Sequence, residues 1–236
     1  MHVVRQAGRA SRLVDDMLMT ARLDRGIDLD RSAVELGGFL RTEVERLALR
    51  LPSLDVRLAA PAHEVVAMVD ADRVAQVVGN VADNAARATG GTGRLLVTLE
   101  TTDAADAHGT DTDGTDIDGA DTHGAVAVVR LEDDGPGIAP GDRDRVFDRL
   151  VRLRAAREDD GAGAGLGLPI ARGLARAHGG DLVAVDPIVL DGAAFVLTVP
   201  CLPPAAVSVP AADDVDGTAE QPAPTTRASA GASAGR

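Results

Sequence analysis

Three aromatic residues, Phe39, Phe147 and Phe195, are all that this chain of 236 residues offers its interior; there is no Trp and no Tyr. A core here has to be built from Val, Leu, Ile and Ala. The hydrophobic share of 45% is ordinary for a folded soluble protein, and the length allows one or two small domains. The same shortage removes aromatic stacking, the usual device for gripping single-stranded nucleic acid. All 24 basic residues are Arg, which excludes lysine chemistry and any lysine-dependent P-loop. A net charge of −13 argues against a nucleic-acid-binding surface.

The acidity is uneven. Asp103–Asp121 carries seven Asp and no Arg, and the tail after Cys201 carries four acids against Arg227 and Arg236. Residues 103–124 are almost wholly Asp, Thr, Gly, Ala and His, too polar to order themselves. They read as a flexible acidic insertion in a hairpin. The Asp-Gly steps do not make a twelve-residue calcium loop, because no Glu closes it. The Pro/Ala/Ser/Thr-rich stretch 202–236 reads as a disordered tail. Cys201 is the only cysteine, so no intrachain disulfide forms and a reducing compartment is the default. No apolar run reaches the roughly 20 residues that span a bilayer, and no signal-peptide pattern opens the chain.

Periodicity supplies the elements. Val14, Met17, Leu18 and Ala21 form one apolar stripe on a helix that Gly26 ends. That stripe calls for a packing partner, as in a helical bundle. Leu36, Leu40, Val44 and Leu47 mark a second helix, ended by Pro52. A third spans Asp72–Ala88 with Val74, Val77, Val78, Val81 and Ala85 inward, and a fourth spans Leu166–His178. Strands are expected at Asp55–Ala59, Val65–Val69, Leu95–Thr101, Val126–Leu131, Asp181–Val185 and Ala194–Val199.

Three local patterns carry chemistry. Asn80, Asn84 and Arg87 project from one face of the third helix. Amide oxygens suit a Mg²⁺ that keeps most of its water and shares phosphate oxygens, although a solvated helix face has the same look. Asp133-Asp134-Gly135-Pro136-Gly137-Ile138 follows a strand. Its glycines let backbone approach a flat ligand, and a strand-end carboxylate can accept from an exocyclic amine; an ordinary Gly-Pro turn reads similarly. Gly161-Ala162-Gly163-Ala164-Gly165-Leu166-Gly167 opens a helix, where free N–H groups and the helix dipole favour an anion. It lacks the strand that a dinucleotide-binding fingerprint requires.

The order of these patterns resembles the ATP-binding domain of sensor histidine kinases, within the wider class of gyrase/Hsp90-like ATPases. The N box is Asn80–Thr89, the first glycine box Asp133–Ile138, the F box Arg145–Arg152 and the second glycine box Gly163–Ile170. Leu150 stands where that F box usually has a second aromatic, and Pro169 where Ala is usual. Ser11–Leu18 with Ala21–Gly26 resembles the second helix of the family's dimerisation and phosphoacceptor hairpin.

The resemblance implies an α+β fold: a two-layer α/β sandwich, its mixed sheet covered by helices on one face. Residues 1–28 would be a remnant of the hairpin, 29–201 the kinase domain with its insertion at 103–124, and 202–236 the tail. It implies Asn84 as a Mg²⁺ ligand, Asn80 and Arg152 near the transferring γ-phosphate, and Arg87 on phosphates. It implies Asp133 on the adenine amino group, Gly135 and Gly137 against the purine, and Gly163, Gly165, Leu166 and Gly167 closing the lid over ATP. His178 reads as a structural helix-end residue.

The family phosphorylates a His in a His-acid-apolar-Arg-x-Pro setting, which the segment from His2 lacks. The chain therefore reads as the C-terminal part of a cytoplasmic kinase whose full-length parent is membrane-anchored, with the phosphoacceptor His supplied in cis or in trans. A response regulator would be its partner, and a homodimer would need the missing hairpin helix. The alternatives are a stand-alone ATP-binding regulator resembling anti-sigma-factor serine kinases, or a binding-only module.

Overall fold

Period-two burial builds the sheet. Along β4 (Gly93–Asp103), Leu95, Val97 and Leu99 are buried, while Leu96, Thr98 and Glu100 between them are not. β5 (Ala125–Asp133) repeats this with Ala127, Val129 and Leu131. One face of the sheet is therefore covered and the other meets water. The protein is seen here as a computed structural model that describes residues 2–103, 124–151 and 165–203, with side chains from residue 13 onward.

Among the described residues the sheet has seven strands. Its order is β1 (Ser32–Glu35), β3 (Val66–Val69), β7 (Ala194–Cys201), β5, β4 and β2 (Leu54–Ala59), and β6 (Leu182–Val185) also pairs with β7. β2 runs parallel to β4, and every other pair is antiparallel. β4 and β5 pair from Leu95↔Asp133 to Asp103↔Ala125, as a hairpin should. The acidic insertion thus leaves from the end of the hairpin farthest from Asp133; residues 104–123 and 204–236 lie outside the described residues.

Three helices cover the apolar face: α2 (Leu36–Arg50), α3 (Ala71–Ala88) and α4 (Gly167–Ala177). α3 buries Val74, Val77, Val78, Val81, Ala82 and Ala85, and α4 buries Ile170, Ala171, Leu174 and Ala175. Phe195, Leu197 and Val199 of β7 complete the hydrophobic core beneath them. This is the expected two-layer α+β sandwich. The one unanticipated strand is β1, four residues long with a half-exposed pattern too short to show alternation.

α1 (His2–Asp24) lies against α4, and it does so with a face the stripe did not announce. Met19 is buried, and Leu23 packs so near Gly173 that a Cβ there would sit 2.8 Å from Leu23 Cδ1. Val14, Met17 and Leu18 of the stripe stay 54–60% exposed. No helix among the described residues is long and apolar enough to cross a membrane.

His178 is structural, as its setting suggested. It is buried at the C-cap of α4, with Nδ1 2.8 Å from the Leu174 carbonyl, while the Asp70 N–H donates to Nε2 at 3.1 Å. Asp70 in turn caps α3 by accepting from the Arg73 N–H. A neutral imidazole with its proton on Nδ1 satisfies both contacts, and so the end of α4 is fastened to the start of α3.

Candidate functional site

α3 presents its polar flank towards the start of α4. Asn80 and Asn84 are half-buried there and Arg87 is exposed. Asn80 Nδ2 donates to the Gly167 carbonyl at 3.0 Å, which joins the N box to the second glycine box directly. Among the described residues no side chain caps the N terminus of α4. Its first N–H groups and the positive end of the helix dipole therefore face whatever lies beyond Gly167.

Asp133 ends β5 and is 2% exposed. Its Oδ1 accepts from the N–H groups of Gly135 (2.9 Å) and Ala193 (3.0 Å). Both bonds use one oxygen; among the described residues Oδ2 has no hydrogen-bond partner. Burial pushes this carboxyl above the usual carboxylate range; the two N–H donors oppose that and the neighbouring Asp134 charge adds to it. Asp134 points elsewhere, accepting from the Arg94 N–H at 2.8 Å and the Arg94 Nε at 3.0 Å.

The glycines around Asp133 are closely packed. A Cβ at Gly135 would lie 3.0 Å from Asp133 Oδ1 and 3.2 Å from Ala88 Cβ, so this turn also touches the end of α3. Gly137 has φ +75°, a left-handed conformation that favours glycine. Gly192, on the loop before β7, is tightest: a Cβ there would fall 2.3 Å from the Asp133 carbonyl and 2.5 Å from the Gly135 nitrogen. The strand expected at Ala194–Val199 starts beyond Gly192, and this contact, which only the tertiary fold creates, leaves no mark in the sequence.

The family model for histidine kinase-, DNA gyrase B- and HSP90-like ATPases matches residues 69–203, which include these elements. The chain belongs to that family. Among curated relatives, the probable sensor histidine kinase TcrY of Mycobacterium tuberculosis is 31% identical over 180 residues, 76% of this chain and 34% of that protein. Of solved structures, full-length ShkA in complex with AMPPNP superposes with TM-score 0.64 at 27% identity, covering 85% of this chain and 38% of that one. The mycobacterial sensor histidine kinase MprB does so with TM-score 0.56 at 27% identity, covering 73% of this chain and 99% of that one. The chain spans about a third of the length of the curated relatives it matches, 28–40% for the first four.

In this ATPase-family domain the F box is anchored by Phe147. Its ring meets Phe195 edge-on, 6.2 Å between centroids, and the Arg172 guanidinium lies 4.8 Å from its centre. Arg172 and Arg176 both pair bidentately with Asp181 at 3.0–3.2 Å. Beyond Phe147, Leu150 takes φ +63°, a strained conformation for a branched side chain. Its N–H donates to the Gly165 carbonyl at 3.1 Å. The chain on either side of residues 152–164 is thus tied together at its base. Arg152 and Gly163 fall inside that stretch and lie outside the described residues. Gly165 has φ +72° and Leu166 is buried. Asp24 at the end of α1 forms a two-pronged ion pair with Arg149, at the rim of a cleft of about 730 Å³ that Leu23, Ile27, Pro169 and Gly173 also line.

Asp181 carries a pH signature. Burial pulls its carboxyl upward, but the hydrogen bonds from Arg172 and Arg176 and the Leu182 N–H outweigh that and hold it below the usual range. A depressed carboxylate stabilises the fold above its unfolded-state pKa, and that contribution is lost as pH falls through the folded value. Asp181→Asn should therefore cost about 1–2 kcal/mol at pH 7, after allowance for partial exposure. The gap to wild type should close as pH falls below the usual carboxylate range and through the depressed folded-state value. Urea unfolding followed by circular dichroism at several pH values measures it, and a gap unchanged by pH would contradict this assignment.

Proposed function

We propose that this chain is the ATP-binding catalytic region of a two-component sensor histidine kinase and that it transfers the γ-phosphoryl group of ATP to a histidine not present in this chain. The observation that carries the reading is Asp133. It is a buried carboxylate with one oxygen anchored by two backbone N–H groups and the other left for a donor, and Gly135 lies so close beside it that a Cβ there would sit 3.0 Å from Oδ1. An exocyclic amine of adenine is such a donor.

The remaining roles follow the same geometry. Asn80 holds the start of α4 so that its N–H groups bind phosphate. Asn84, one turn further along α3, offers the neutral amide oxygen that suits Mg²⁺, and Arg87 adds positive charge towards the phosphates. When bound, Mg²⁺ neutralises charge on the phosphate oxygens. By resemblance, Arg152 is assigned to the γ-phosphate and Gly163 to the lid. Catalysis is then positioning and charge stabilisation, with no covalent step on this domain.

The exposed Leu13, Val14, Met17 and Leu18 on α1 suit the second helix of a dimerisation hairpin, whose other helix carries the phosphoacceptor. In that arrangement the domain works on the cytoplasmic face of a membrane-anchored parent and passes its phosphoryl group to a response regulator. With labelled ATP and Mg²⁺, this chain alone should gain no acid-labile label, whereas an added hairpin domain bearing a phosphorylatable His should become labelled. Stable acid-labile label on the isolated chain would overturn the trans assignment.

A further inference from the structure

Glu132 stands next to Asp133 on β5 and takes no part in the roles above. It is 1% exposed. A charge buried this deeply is costly unless hydrogen bonds satisfy it, and here three successive backbone N–H groups do so. Ile188 donates to Oε1 at 3.0 Å, and Val189 and Leu190 donate to Oε2 at 2.8 and 3.0 Å. Burial alone would raise this carboxyl, yet these donors, with the Arg130 charge, bring it below the usual range.

The segment it grips runs from Asp186 to Ala193. Hydrophobic burial does not hold its middle, where Ile188 and Val189 are 74% and 63% exposed, although Ala193 at its end is buried. Charged contacts hold it instead. At its start Asp186 pairs with Arg143 through both carboxylate oxygens, and Arg130 donates to the Asp186 carbonyl at 3.3 Å. At its end Gly192 donates to the Asp133 carbonyl and Ala193 donates to Asp133 Oδ1, both at 3.0 Å. Glu132 is the fastening between these ends.

We infer that Glu132 is a positioning residue for nucleotide-base selectivity: by clamping the 188–190 backbone it fixes Gly192 and Ala193, and through them the carboxylate of Asp133. This rests on the reading of Asp133 as the adenine partner. A carboxylate held by one loop and one turn points its second oxygen only as accurately as that loop is held. Loosening the loop should therefore erode recognition of the base and leave the phosphate grip of α3 and α4 intact.

The test compares AMPPNP, which carries the 6-amino group, with inosine triphosphate, which carries a 6-oxo group, by calorimetry with Mg²⁺ on the full chain. Wild type should prefer the adenine nucleotide. Glu132→Gln keeps the size but presents an amide donor to at least one N–H, and should lower that preference at least 10-fold. Inosine triphosphate affinity should stay within about 3-fold of wild type. Hydrogen exchange at the amides of 188–190 should quicken in the same variant. General damage would weaken both nucleotides alike, and that result overturns the inference. An unchanged preference with faster exchange also overturns it.

The double variant Ile188→Gly/Val189→Gly removes only exposed side chains and leaves no buried charge unpaired. It should reduce the preference in the same direction, and it decides the matter should Glu132→Gln fail to fold. A wild type that binds the two nucleotides equally would instead overturn the Asp133 reading, and this inference with it.

Discussion

Asp133→Asn is expected to lower affinity for an adenine nucleotide with Mg²⁺ by about 100-fold while leaving the fold at least as stable as wild type at neutral pH. The affinity loss comes from Oδ2. The amide oxygen of Asn can keep the two bonds from Gly135 and Ala193, which puts the amide nitrogen where the second carboxylate oxygen was. Two donors then face each other, and the loss of a charge-assisted hydrogen bond alone is worth about 1.5–3 kcal/mol. The stability direction comes from the raised carboxyl. As pH rises past the unfolded-state pKa, the unfolded chain releases its proton while the folded chain keeps it, so stability falls until the folded value is passed. Above that point the folded protein carries the whole penalty, and Asn removes it. Calorimetric titration and urea unfolding read the two effects separately. Binding within about 3-fold of wild type would contradict the adenine assignment, and a large loss of stability would contradict the account of the buried charge.

Side chains that announce themselves by type and spacing were legible in the sequence. Asn80 and Asn84, one helical turn apart on a stripe opposite the valines, and Asp133 with its glycines, stand where their pattern suggested. His178 could be read as structural from the Gly-Gly that follows it, and it is a buried C-cap. What could not be read were roles created by distant contacts. Met19 is buried and Leu23 packs against Gly173 of α4, yet the stronger Val14/Met17/Leu18 periodicity points to a face that stays exposed. A stripe records hydrophobicity and does not record which neighbour covers it. Leu150 gives no hint of its positive φ, because its bond to Gly165 sets that conformation. Glu132 reads as one more acid in an acidic chain until the loop that it grips folds over it.

Gly192 is the extreme case of such a hidden role, and Gly192→Ala should be the most damaging single methyl at the site. The added carbon would meet the Asp133 carbonyl at 2.3 Å, Asp133 Oδ1 at 2.4 Å and the Gly135 nitrogen at 2.5 Å. Two of these are backbone atoms, and the Asp133 backbone is bonded to Gly192 and Ala193 at 3.0 and 2.9 Å, so no side-chain rotation relieves the overlap. Overpacking of this kind costs about 3 kcal/mol. The strand end and the glycine turn must part, which moves Asp133 and Gly135 together. Unlike Asp133→Asn, this variant should lose stability and nucleotide affinity at once, with affinity falling by more than the 100-fold expected for the amide. Gly141→Ala is the matched control, since a Cβ there meets nothing within 4 Å; it should leave both quantities within error of wild type. With no Trp or Tyr in the chain, unfolding is followed by far-ultraviolet circular dichroism. A Gly192→Ala protein that melts with wild type and still binds the nucleotide would mean that the loop before β7 does not press on Asp133. In that case the carboxylate would need some other support to stay buried and aimed.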